Sequence, residues 1–205
     1  MIAQAASLLR CAKAATAAEF GLVLPVLLLF LLGIIDVGRF MWVLNQAEKA
    51  SQMGVRYAVV SDPVADVINV DFVDTYGLVG GDPVPIGTFT SAECSSTGNC
   101  IVTGTAQAAS GRNGAAFTDI VNWMQNFYPA IQAANVWVTY QNVGLGYAGD
   151  PTGPDVSPLT TVELRGLSFQ PLLLFGGTVG LPPIRASLTL EDGECSTTGD
   201  CGSSN

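Results

Sequence analysis

Apolar residues are distributed along this chain in three ways, and each way predicts a different kind of element. The first is a block. Residues 20–35, FGLVLPVLLLFLLGII, carry no charge in sixteen positions. As a helix this block is about 24 Å long, against roughly 30 Å for the hydrocarbon of a bilayer. Residues 36–43 stay largely apolar and continue in helical register, and residues 15–18 are small and uncharged. A cleaved secretory signal has an apolar core of about 7–15 residues followed by a small-residue cleavage site. This block is longer and has no such site after it, so it reads as a spanning anchor.

The second way is a narrow stripe. Leu44, Ala47, Ser51, Gly54, Val55 and Ala58 recur at spacings of three and four, with no Gly or Pro cluster between Arg39 and Val60. The stripe predicts that the helix leaves the membrane and runs on as a stalk, over residues 15–60 in all, a length of roughly 70 Å. Asp62-Pro63 ends it. Such a small-residue face can pack against copies or relatives, receive the protein's own sheet, or do both.

The third way is alternation. Residues 61–112 are rich in Gly, Asp and Pro and predict irregular chain with one strand over residues 100–107. Phe117, Ile120, Val121, Met124, Phe127, Tyr128 and Ile131 then share a helical face that starts near Asn113, with Pro129 kinking or ending the helix. Three strands are predicted after it. The first, in residues 135–147, is set by Val136, Val138 and Tyr140; the second, in residues 158–169, by Val162, Leu164, Leu167 and Phe169. The third, in residues 184–191, points Ile184, Ala186, Leu188 and Leu190 to one face. A long helix followed by an amphipathic helix packed on a small antiparallel sheet is an α+β fold. The organisation expected is a cytoplasmic leader at 1–14, the anchor and stalk at 15–60, and an extracytoplasmic domain at 61–205.

Charge fixes the orientation expected for the anchor. Residues 1–18 hold Arg10 and Lys13 and no acid, whereas from Asp62 onward fourteen acids face three bases, for a net −11. Basic residues before a span stay in the cytoplasm, so the acidic domain crosses, and a domain of that charge repels phosphate backbones, which argues against nucleic acid as a partner. Cysteine agrees. Cys11 precedes the span, while Cys94, Cys100, Cys195 and Cys201 follow it, where disulfides can form. Glu93-Cys94-Ser95-Ser96-Thr97-Gly98-Asn99-Cys100 matches Glu194-Cys195-Ser196-Thr197-Thr198-Gly199-Asp200-Cys201 at six of eight positions. Four cysteines permit three pairings; the turn residues inside each motif favour two local loops over cross-pairing. Zinc on the four cysteines is the weaker alternative, since C-x5-C is wider than the usual ligand spacing.

Catalytic chemistry finds little to build on. The chain has no His, so no His-based triad, imidazole base or His metal ligand exists. There is no phosphate loop or dinucleotide fingerprint. The turn-rich residues 149–155 could offer oxygens to Ca²⁺ but lack the twelve-residue ligand pattern. The expectation is a protein that is not an enzyme and uses no cofactor.

Glu19 needs a separate account. Position alone puts it at the cytoplasmic interface, and burying an acid centrally would cost roughly 2.5–3.5 kcal/mol on insertion scales. Yet Ala14-Ala15-Thr16-Ala17-Ala18-Glu19-Phe20 resembles the processing junction of type IV pilins of the tight-adherence (Flp) class. Residues 19–25, Gly33-Ile34-Ile35-Asp36-Val37-Gly38-Arg39, Asn45-Gln46-Ala47-Glu48 and Gly54-Val55-Arg56-Tyr57-Ala58 extend the likeness. Together they resemble the TadE-like minor pilins (pseudopilins) of that system, densely over residues 14–60. The resemblance implies cleavage between Ala14 and Ala15 by a prepilin peptidase, leaving Glu19 at mature position five. Ala14 stands where that family usually has Gly. A free amine at Ala15 and the Glu19 carboxylate could compensate each other's burial, within or between subunits. The resemblance further implies helix-assembly roles for Glu19, Pro25, Asp36, Arg39 and Arg56. As partners it implies the major Flp pilin, sister minor pilins and the inner-membrane assembly platform. It also likens residues 170–177 to the loop before the last strand, an apolar stretch that could touch the membrane or a neighbouring subunit. By spacing alone, Asp36 and Arg39 form a self-neutralising pair at the outer interface. A tethered extracytoplasmic adhesin or binding module outside any pilus is the alternative reading.

Overall fold

The computed structural model describes residues 12–151, 153–172 and 177–190. The chain divides into two compact units. One is built from the chain up to Val43 together with Ser168–Val179, and the other from Leu44–Leu167 and the chain from Gly180. A single helix, α1, runs Ala12–Ala58 and contributes to both. It begins three residues before the expected start and ends two before the expected stop, and it continues through Pro25. In the first unit α1 is accompanied by a short strand pair, β5 (Ser168–Phe169) with β6 (Val179–Gly180).

The second unit is an antiparallel sheet of five strands in the order β2-β1-β3-β4-β7. These are β1 Ser91–Cys94, β2 Ile101–Thr103, β3 Val136–Gln141, β4 Leu159–Leu164 and β7 Ile184–Thr189. Alternation works as a two-residue period requires. Across the buried face, Cys94, Val138, Val162 and Ala186 stand in one row, and Ala92, Tyr140, Thr160 and Leu188 in the next. The opposite face carries Trp137, Glu163 and Arg185 in register. There Arg165 binds Glu163 at 2.7 Å and Glu93 at 3.0 Å while its guanidinium lies 4.5 Å from the Trp137 ring centre. One side chain thus ties β1 to β4 across β3, and the two carboxylates push its pKa up further.

The stalk part of α1 gives its small face to this sheet. Ala47, Ala50, Ser51, Gly54, Val55 and Ala58 are buried, and the Ser51 hydroxyl donates to the Val162 carbonyl at 2.8 Å. The stripe thus receives the protein's own sheet, one of its two expected destinations. A second helix, α3 (Gly114–Gln125), packs on the stalk: Trp123 stacks on Tyr57 at 5.5 Å. Gly54 permits the approach, because a Cβ there would come within 2.7 Å of the Met124 side chain. Asn113 caps α3 by accepting from the Ala116 N–H, and Phe117, Ile120, Val121 and Met124 are buried as expected.

Residues 61–112 are more ordered than their composition implies. The strand expected over 100–107 is confined to β2, because the chain turns at Gly104 into a 3₁₀ segment, Thr105–Ala109. Gly104 has φ +119°, and a Cβ would meet the Thr88 carbonyl at 2.5 Å, so only glycine makes that turn. Strand β1 was not expected at all. Nor was α2, a short helix at Phe72–Tyr76, capped by the Asp71 carboxylate and closed by Gly77 in the left-handed region. Leu188 is a further departure: it lies on the apolar face but is 40% exposed, since β7 is an edge strand.

Two polar groups inside the core give tests. The Tyr140 phenol is fully buried and accepts from the Val64 N–H at 3.0 Å. Burial pushes its pKa up to about 12, outweighing that hydrogen bond. Below pH 10 the phenol is neutral in both folded and unfolded chain. Between pH 10 and 12 only the unfolded chain releases the proton, so stability falls with rising pH, by roughly 2–3 kcal/mol over the window. Burial raises the Tyr128 pKa as well, with the same sign. Denaturant titrations of the full chain in micelles should find Tyr140→Phe about 1–3 kcal/mol less stable at pH 8, because the Val64 N–H loses its acceptor. The gap should narrow as the pH passes 10.

The Thr160 hydroxyl is buried without a hydrogen-bond partner among the described residues. Replacing an unsatisfied hydroxyl by a methyl of similar size removes a desolvation cost, so Thr160→Val should raise stability by about 1 kcal/mol. A midpoint unchanged or lowered in denaturant would refute that account of the site.

Candidate membrane anchor and assembly face

In the first unit α1 presents an unbroken apolar surface. Phe20, Leu22, Leu29, Phe30 and Ile34 are all more than half exposed, on a helix whose backbone groups bond within the segment, as lipid requires. This is the one described helix long and apolar enough to cross a membrane, compatible with a single-pass anchor. Glu19 and Phe20 are exposed on α1 where the apolar run begins, and Pro25 is exposed within it. Ala14 and Ala15 lie in the first turn of α1; their side chains are outside the described residues. Arg56 is exposed near the C-terminal end of the helix.

At the other end of the run the picture changes. Asp36 is only 8% exposed. Its carboxylate accepts from the Arg39 guanidinium at 3.3 Å and from the Leu172 backbone N–H at 2.9 Å. The first partner is the one that i, i+3 spacing predicts. The second lies 136 residues away and has no local sequence signal. Aromatic contacts secure the same segment: Phe40 meets Phe169 edge to face at 5.7 Å, and Arg39 sits 5.3 Å from the Phe169 ring centre. The Ser168–Leu172 segment is therefore held to α1 over residues 36–40 by a charge-assisted hydrogen bond, a cation–π contact and an aromatic pair. The rest of the apolar stretch singled out in the sequence, residues 173–176, lies outside the described residues.

Other candidates resolve as structural. Cys94 and Cys100 form a disulfide with both residues buried. The loop they close is held by Arg112, which donates to the Ser95 carbonyl at 3.2 Å, and by the Cys100 N–H donating to Ser110 at 2.9 Å. Cys195 and Cys201 lie outside the described residues. In the turn-rich stretch near 150, Asp155 is buried and its carboxylate accepts from the backbone N–H groups of Phe72, Gly149 and Asp150. That carboxylate fastens its loop to α2. Among the described residues no cluster of three or more Cys, Asp or Glu could hold a metal. An open groove of about 370 Å³ is lined by Leu44, Glu48, Gln52, Pro182, Pro183, Ile184 and Arg185. It contains one acid and one base and no thiol or hydroxyl.

Residues 14–56 match the family model of TadE-like protein. The match spans the small-residue junction, the apolar run and nearly all of the stalk, and it stops short of the sheet. Comparisons with curated proteins and with solved structures found no match.

The Cys94–Cys100 bond closes a short loop beside the buried face. Replacing both cysteines by Ser should lower stability by about 2 kcal/mol in the chain-entropy model, read as a lower denaturation midpoint.

Proposed function

We propose that this chain is a membrane-anchored minor pilin, or pseudopilin, taking part in assembly or priming of an Flp-type pilus of the tight-adherence system, in surface attachment. The observation that carries the reading is the TadE-like match over residues 14–56, coinciding with an exposed apolar helix headed by Glu19. The chain would be inserted in the bacterial inner membrane with its N-terminus cytoplasmic and its acidic domain outside. A prepilin peptidase would cut between Ala14 and Ala15.

The chemistry of the helix fits such a subunit. An exposed apolar surface with one acid at its cytoplasmic end can be lifted from lipid into a bundle of similar helices at little cost, lipid and helix surfaces being equally apolar. The Ala15 ammonium of a neighbour, or of the same chain, would then offset the Glu19 charge. The role is structural, not catalytic: it needs packing against the major pilin, sister minor pilins and the assembly platform, and no bond chemistry.

N-terminal sequencing of membrane-extracted protein, with and without the peptidase, tests this directly. The mature chain should begin at Ala15 only when the peptidase is present. Glu19→Val should leave membrane insertion unchanged and reduce piliation at least about tenfold, the effect of losing roughly 1.4 kcal/mol of subunit docking. An unprocessed chain whose Glu19→Val variant piliates normally would make it a simple tether for a binding domain.

A further inference from the structure

Helix geometry places the clamp around Asp36 at a specific depth. With Phe20 at the start of the apolar run, Asp36 lies about 24 Å and Phe40 about 30 Å along the axis of α1. The latter is about the thickness of bilayer hydrocarbon. The segment fastened there keeps Phe169 buried but leaves the Leu172 side chain 53% exposed, beside the exposed polar residues Ser168 and Gln170. At the same height Trp42 is 67% exposed, with Met41 and Val37 also open. A Trp at that height is where an interfacial aromatic anchor belongs.

An uncompensated carboxylate at the outer edge of the hydrocarbon would pull the helix toward water. Here Arg39 and the Leu172 N–H occupy it, so the apolar surface on either side of Asp36 can stay in lipid. The same bond holds Leu172 beside the helix.

We propose that Leu172, at the end of the clamped Ser168–Leu172 segment, is a second membrane contact, a small apolar wedge seated in the acyl–headgroup boundary of the outer leaflet and held to the anchor by the Asp36 carboxylate. The occupant of this surface is phospholipid, because the surface is continuous with the lipid-facing side of α1 and lies at the same depth. The wedge fixes how far the helix slides along the membrane normal and which way it is rotated. It rests on the anchor reading above, but on no pilus.

The test uses the full chain in phosphatidylcholine nanodiscs, with the Cys94–Cys100 disulfide oxidised and Cys11→Ser, Cys195→Ser and Cys201→Ser removing the other thiols. An environment-sensitive fluorophore is attached in turn at Leu172→Cys, at Phe30→Cys as a deep reference and at Thr118→Cys as an aqueous one. The probe at 172 should emit at shorter wavelength than at 118 and lose roughly half its intensity when the lipid carries brominated acyl chains, as expected for shallow burial. Adding Asp36→Ala should return the 172 probe to the behaviour of 118 while the probe at 30 remains quenched. If 172 behaves as water-exposed while 30 is deep, the wedge is wrong and the anchor stands; if 30 is also water-exposed, the anchor reading itself has failed. Unchanged quenching at 172 in Asp36→Ala overturns the clamp. Should that variant not insert, hydrogen exchange at the Leu172 amide of the parent chain decides: rapid exchange removes the clamp, and slowing of at least about tenfold supports it.

Discussion

Lipid supplies no hydrogen bonds, and every feature of α1 follows from where along its length that condition applies. Over residues 20–35 the helix is apolar on all sides and its side chains are exposed. From Ala47 onward only one narrow face is buried, and that face is built from Ala, Ser, Gly and Val. Small residues let a helix lie close to a sheet, close enough for the Ser51 hydroxyl to reach a strand carbonyl. One continuous helix thus serves two solvents. Its composition changes where its surroundings change, and not where its backbone does.

Charge is handled by the same economy. The domain carries its acidity on turns and surfaces, but several acids take structural roles within the chain. Asp155 takes three backbone N–H donors. Glu163 shares Arg165 with Glu93 on the open face of the sheet. Asp36, beside the apolar run, accepts from Arg39 and from the Leu172 backbone. Each arrangement joins pieces of chain distant in sequence, so each acid acts as a fastener.

How much of this was legible in the residues depended on the range of the interaction. The anchor, the stalk and α3 follow from periodicity, since a helix writes its environment into neighbouring turns. Strands β3, β4 and β7 followed from alternation of Val, Leu and Ile. Strand β1 did not, because Ser-Ala-Glu-Cys is short and its inward residues are small; it is a strand because β2 and β3 pair with it on either side. For α2 the cue was present in Asp71 and Gly77 but lay in a stretch whose composition suggested a loop. The Cys94–Cys100 loop was visible from its turn residues. The bond from Leu172 to Asp36 was not, because nothing local distinguishes one backbone N–H from another across 136 positions.

The same difference in range explains why the family match ends at residue 56. A helix that must sit in lipid draws its residues from a narrow apolar set over a long unbroken stretch. A five-stranded sheet needs only alternation and compatible volumes, which many unrelated sequences provide. Recognition therefore concentrates in the part of the molecule under the strictest physical constraint, and the domain beyond it is identified by its own contacts. That division bears on function directly. The residues of the domain can differ widely without altering the helix, provided the face presented by Ala47, Ser51 and Gly54 still accepts the sheet.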